Sequence, residues 1–303
     1  MGSYSPTPPS REDGLARVDH GSQPEILAPY AVMPPPQVVR KPRPSWATAP
    51  ATYLLVGINC AVFLAMLANR LSIWAPTPRQ LMVWGANNAG SVLVHGEWWR
   101  IVTAMFVHVG ILHLATNMWC LWNLGLLAEP LMGSFGVMAV YVLTGAAGNL
   151  LSTFSGWWSY GGEWLNYHAA GGVDVLTVFP PGAGASGAVF GIAGALIVLL
   201  KSNRLPVDPI ELKKLRKSVI YFAALNLILG LSISGGNFFL HSGLNIDNMA
   251  HAGGFACGLL FAAPMVPRLG SPRRVFQMRL RLSVGMVVCV LVLFGFFITS
   301  FAG

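Results

Sequence analysis

Ser186 stands in the stretch GASGAVFG (184–191), between glycines and just ahead of the apolar run AVFGIAGALIVLL. Read alone, a small hydroxyl there is either filler at a helix start or a nucleophile. A serine attacks a carbonyl only once a base takes its proton, and histidine, with an unperturbed pKa of about 6.5, is the usual base. His251, in NMAHAGGFACG (248–258), can fill that role. The segment FPPGAG (179–184) cannot continue a helix upward from Ser186, because proline has no N–H and glycine is conformationally costly. The helix therefore starts at Ser186. Its first N–H groups lack intrahelical partners and carry the positive end of the dipole, where an oxyanion is stabilised.

No carboxylate stands at the right level, since Asp247 lies one turn above His251 and reads as a surface residue. The pattern fits a Ser–His dyad whose imidazole is oriented by packing. Phe190, one turn below Ser186 on the same face, is either the ring that orients it or ordinary core filling. Oxyanion donors are available from the Ser186 N–H, the His113 side chain and the Asn117 amide in HLATN (113–117). A plain interhelical hydrogen bond is the other reading of Asn117.

These groups must be positioned by membrane helices. The chain has 303 residues, 54% hydrophobic and only 10% charged, against roughly a quarter charged in soluble domains. Charge-free windows such as 52–69 and 283–303 are long enough to cross a hydrocarbon core of about 30 Å. Seven helices are expected, at 52–69, 111–128, 135–155, 186–200, 217–234, 248–266 and 283–301. The stretch 70–110 is too broken to be a span. Residues 1–50 are proline-rich and polar, show no signal peptide and read as a disordered cytoplasmic tail. Cys60, Cys120, Cys257 and Cys289 all lie in apolar runs and match no metal or disulfide spacing.

The net charge of +8 sets orientation and does not point to nucleic acid. All but Arg70, Arg79 and Arg100 of the 19 Lys and Arg residues fall in 1–50, 201–217 and 268–281. By the positive-inside rule the N-terminus is cytoplasmic and the C-terminus outside. Counted up from Glu129, Lys201 and Arg268 at the cytoplasmic ends, His113, Ser186 and His251 stand about 24, 22 and 26 Å along their helices. Three spans thus bring polar groups to one depth beneath the outer surface. Gly254 and Gly258 share the face of His251, and Gly187, Gly191 and Gly194 line an adjoining face of the Ser186 helix. Small residues at this spacing let membrane helices approach closely, with or without chemistry.

GASG (184–187), HLATN (113–117) and AHAGGFACG (250–258) resemble the G-x-S-G, H-x-x-x-N and A-H-x-x-G-x-x-x-G patterns of the rhomboid intramembrane serine proteases. EWWRIVTAMFVH (97–108) is similar to that family's Trp-Arg motif, carried here by Trp99 and Arg100. The resemblance covers about residues 50–267. It implies an all-α polytopic fold: a six-helix catalytic core (51–267) behind the tail, then a basic loop and a seventh transmembrane helix (268–303). It implies a partly embedded first loop, a wet cavity opening outward, and hydrolysis of peptide bonds in or near substrate transmembrane segments. Ser186 would be the nucleophile and His251 the base, with His113 and Asn117 in the oxyanion hole. Gly184, Gly187, Gly254 and Gly258 would support them, and residues 235–246 would cap the site with Phe238 or Phe239 as a plug. Neither cofactor nor metal is implied. The partners are transmembrane substrates and the bilayer, and a bacterial plasma membrane is the simplest home. Phe190 stands where many members carry tyrosine. The aromatic stretch 156–183 is expected to be a long loop. The alternatives are a catalytically inactive rhomboid-like protein that binds transmembrane clients, and a transporter using His and Asn. The latter is disfavoured because the polar level lies near one surface and the chain shows no internal repeat.

Overall fold

The computed structural model describes residues 48–169, 174–201, 208–240, 247–268 and 271–302. The expected N-terminal tail lies almost wholly outside them. The described chain is helical, and each of the seven expected spans is covered by helix, with different ends and with further short helices between them.

Helix α1 (Pro50–Ala68) opens with proline in its first turn and has no side-chain cap of its own. The Glu129 carboxylate supplies one, accepting from the Ala51 and Thr52 amides at 2.9 Å and the Thr52 hydroxyl at 2.7 Å. An acid at a helix N-terminus satisfies orphan donors and complements the dipole. The stretch 70–110 folds into three short helices, α2 (Pro78–Val83), α3 (Ala89–Leu93) and α4 (Arg100–Thr103), and a 3-10 turn at Ala104–Phe106.

Helix α5 (Ile111–Ala169) has 59 residues, about 88 Å of helix, too long for one crossing. It bends at Gly133, where φ is 74° and ψ is 166°, a conformation closed to most side chains. Two arms result, 111–132 and 134–169. The second corrects the expectation of a loop from 156: the helix continues through the aromatic stretch. Trp157 stacks on Phe179 with centroids 5.7 Å apart and planes at 6°, and Trp164 packs on the same ring. These tertiary contacts support a turn sequence that carries little helical signal of its own.

After a single turn of helix, α6 (Val175–Val178), comes α7 (Ser186–Leu199), which has 14 residues. That is about 21 Å, short of a bilayer core, so the helix begins or ends within it. It is buried on nearly every face. Helix α8 (Pro209–Leu240) extends beyond the expected 217–234 at both ends. It absorbs residues 235–240 of the expected cap, and 241–246 lie outside the described residues. Helix α9 (Asn248–Ala262) continues into a 3-10 segment to Arg268. Helix α10 (Arg273–Ala302) starts ten residues earlier than 283, so most of the basic stretch expected as loop forms its first turns.

The second arm of α5, α7 and α9 form the centre of the fold. A Cβ on Gly254 would overlap the carbonyl of Gly187, one on Gly258 that of Gly191, and one on Gly148 that of Ala250. A Cβ on Gly191 would overlap the Thr144 side chain on α5. The backbones touch because these positions have no side chain. Helix α10 packs outside, its Phe294, Phe297 and Phe301 clustered on Phe154 of α5. Ile298 on α10 shares a buried cluster with Ile101 of α4.

Candidate active site

Ser186 is the first residue of α7, and the Ala185 cap supplies no side-chain hydrogen bond. The uppermost N–H groups of α7 are thus available to a ligand oxygen. His251 is buried on the first turn of α9. The glycine contacts lay the top of α7 on the top of α9: the Cβ position of Gly187 is 3.2 Å from the Ala250 carbonyl oxygen. The residues flanking Ser186 and His251 therefore touch. Phe190 stacks on the His251 imidazole at 4.4 Å and 14°. Among the described residues, His251 Nδ1 has no hydrogen-bond partner. The Phe190 phenyl lies flat against the face of that ring.

His113 comes from the third direction. Gly184 adopts φ 133°, and a Cβ there would lie 2.5 Å from His113 Cε1. The imidazole occupies the space that glycine leaves, two residues before Ser186. The His108 ring packs on it at 5.3 Å. Asn117 is buried one turn along α5 and donates to the His113 carbonyl oxygen at 2.9 Å. One of its two N–H donors is thus used within its own helix.

Trp99 and Arg100 are not part of this group. Arg100 is buried and donates to the carbonyls of Met82 and Ala86 at 2.7 and 3.1 Å. It pairs with Glu97 at 2.6 Å and lies 4.3 Å from the Trp99 ring centroid. These contacts organise α2–α4. Asp247 differs from its sequence reading as a surface group: it is partly buried and is the N-cap of α9. It accepts from the Ala250 amide at 2.9 Å and from the Ser152 hydroxyl on α5. His95 is exposed, and the side chains of His20, His168 and His241 lie outside the described residues.

The sequence does not single out a second polar group near the loop that leads into Ser186: Asn87, bonded to Asn149 and Thr153, and the adjacent Asn88, bonded to Phe179 and Ser91, with Asn87, Asn88, Asn149 and Thr153 all buried. The available signal was four uncharged polar side chains in otherwise apolar surroundings.

A partly buried serine at a helix start without a side-chain cap, with a buried imidazole on the helix packed against it, lies in an all-helical polytopic membrane protein. Residues 95–268 match the family model of the Rhomboid domain. The chain is similar to the Rhomboid protease GluP of Bacillus subtilis (strain 168), 31% identical over 222 residues, covering 73% of this chain and 36% of that protein. It is likewise similar to the Rhomboid protease AarA of Providencia stuartii, 30% identical over 237 residues, with 75% and 76% covered. RHOMBOID-like protein 7 of Arabidopsis thaliana is 30% identical over 185 residues, with 61% and 48% covered. The chain therefore spans about a third of the length of GluP and about three quarters of AarA. It belongs to the rhomboid family, a family of intramembrane proteases.

Proposed function

We propose that this chain is an active serine endopeptidase that hydrolyses peptide bonds in or near transmembrane segments of membrane-protein substrates. The observation that carries the reading is the stacking of Phe190 on His251 beneath the free N-terminus of α7. Ser186 Oγ attacks the scissile carbonyl while His251 takes its proton. The same imidazole then returns the proton to the leaving amine, giving an acyl-enzyme and a freed amino terminus. A water molecule, deprotonated by His251, hydrolyses the ester. The oxyanion formed at each step lies at the positive end of α7, within reach of the Ser186 N–H, the His113 ring and the second N–H of Asn117.

The core comprises residues 51–267, with the N-terminus cytoplasmic and the site facing the outer leaflet of a bacterial plasma membrane. The basic residues at 201–217 and 268–281 support that orientation. The test is labelling with a fluorophosphonate probe in detergent, read beside cleavage of a transmembrane substrate. Wild type labels and cleaves, whereas Ser186→Ala and His251→Ala do neither. Labelling of all three alike would overturn the dyad.

A further inference from the structure

Residues 179–185, FPPGAGA, carry the chain from α6 to the nucleophile and have no helix or strand of their own. Something else must fix their path. Three hydrogen-bonded clamps do so, all from the 70–110 region. Asn88 Nδ2 donates to the Phe179 carbonyl at 2.6 Å. Asn87 and Gly182 exchange N–H to O bonds in both directions at 2.8 Å, an isolated antiparallel bridge. The Gly184 N–H donates to the Ala104 carbonyl at 2.9 Å. The clamps fall at 179, 182 and 184, the last only two residues before Ser186.

The clamping side chains are themselves held. Asn87 Nδ2 donates to the Asn149 carbonyl at 3.1 Å, and the Thr153 hydroxyl donates to Asn87 Oδ1 at 3.2 Å, both on the second arm of α5. Asn149 Nδ2 donates in turn to the Ile101 carbonyl of α4 at 2.8 Å. Asn88 Oδ1 caps α3 by accepting from the Ser91 amide at 2.9 Å. Asn87 and Asn88 are 2% and 1% exposed. Buried amides are tolerated when they are hydrogen-bonded, and each of these has both its donor and its acceptor in use: Asn87 on the second arm of α5, Asn88 on the approach loop and α3.

We infer that Asn87 and Asn88 are positioning residues that set the height of Ser186 through its approach loop. The inference rests on Ser186 being the nucleophile. The imidazole side of the site is set by α9 packing, and the serine side by this asparagine frame. A misplacement of about 1 Å at a reacting atom costs about 100-fold in rate, so a modest slackening of the loop is measurable.

Asn88→Ser separates the two duties of the residue. Serine is a good N-cap and keeps α3, but it is too short to reach Phe179. Thr153→Val takes one bond from Asn87 and leaves the backbone bridge intact. Thr52→Val, at the Glu129 end of the fold, is the control for lost stability alone. The full chain is purified in detergent, and three quantities are read: the fluorophosphonate labelling rate, kcat and KM on a transmembrane substrate, and the melting temperature. Asn88→Ser should label and turn over about 10-fold more slowly with KM unchanged, and Thr153→Val about threefold more slowly. Thr52→Val should label at the wild-type rate despite a lower melting temperature. Wild-type labelling by Asn88→Ser, or a slowing no greater than that of Thr52→Val at equal stability, overturns the inference and leaves the protease intact. A wild type that does not label at Ser186 overturns both.

Discussion

In the proposed mechanism Phe190 and Asn117 serve different ends, and their substitutions should separate. In that mechanism Phe190 holds the plane of an imidazole whose Nδ1 has no partner among the described residues. A stacked aromatic pair contributes about 0.5–1.5 kcal/mol beyond burial, so Phe190→Leu should lower kcat by about fivefold with a small loss of stability. Asn117 is asked for one oxyanion bond. Loss of such a donor costs about 3 kcal/mol at the transition state, so Asn117→Ala should reduce kcat about 100-fold with little change in KM. Both are read by steady-state cleavage beside a melting curve. An unchanged kcat in Asn117→Ala would reduce its role to the bond it makes to the His113 carbonyl.

At the scale of elements, the proposed mechanism depends on how closely α7 approaches α9. Gly254→Ala places a methyl group against the Gly187 carbonyl, next to Ser186. The helices must separate, and overpacking of this kind costs about 1–3 kcal/mol. The expected result is a lower melting temperature together with loss of fluorophosphonate labelling. Gly285→Ala on α10, whose Cβ meets nothing within 4 Å, should change neither. Much of this arrangement is legible in the sequence. The start of α7 is written in Pro180, Pro181 and Gly182, and the close approach in the spacing of Gly254 and Gly258. What was hidden depends on partners distant along the chain. The second arm of α5 continues past 155 because Trp157 and Trp164 find Phe179. Asn87 and Asn88 look like loop residues until Gly182 and Phe179 are folded against them. The first turns of α10 are hidden because its arginines break the apolar run, although long basic side chains at a span's end extend readily to the interface.

For the whole molecule, Asp247 couples folding to pH. It caps α9 and takes the Ser152 hydroxyl from the second arm of α5, so its environment exists only when the helices are assembled. Burial raises its carboxyl pKa above the ordinary value, against the opposing pull of the Ser152 hydroxyl and the Ala250 and Met249 amides. The unfolded chain releases this proton near pH 3.9, and the folded chain holds it to higher pH. Between those two values the folded state binds more protons, so stability falls as pH rises, and the loss persists above the folded pKa. Asparagine at 247 keeps an oxygen for the Ala250 amide and presents its N–H to the Ser152 oxygen, without a charge to desolvate. The melting temperature of Asp247→Asn should therefore gain on that of wild type between about pH 4 and pH 8, the two being closest at the acid end. Differential scanning fluorimetry in detergent across that range checks the sign. If the variant loses ground as pH rises, the ionised carboxylate is the form that holds α9 to α5, and its hydrogen bonds outweigh its burial.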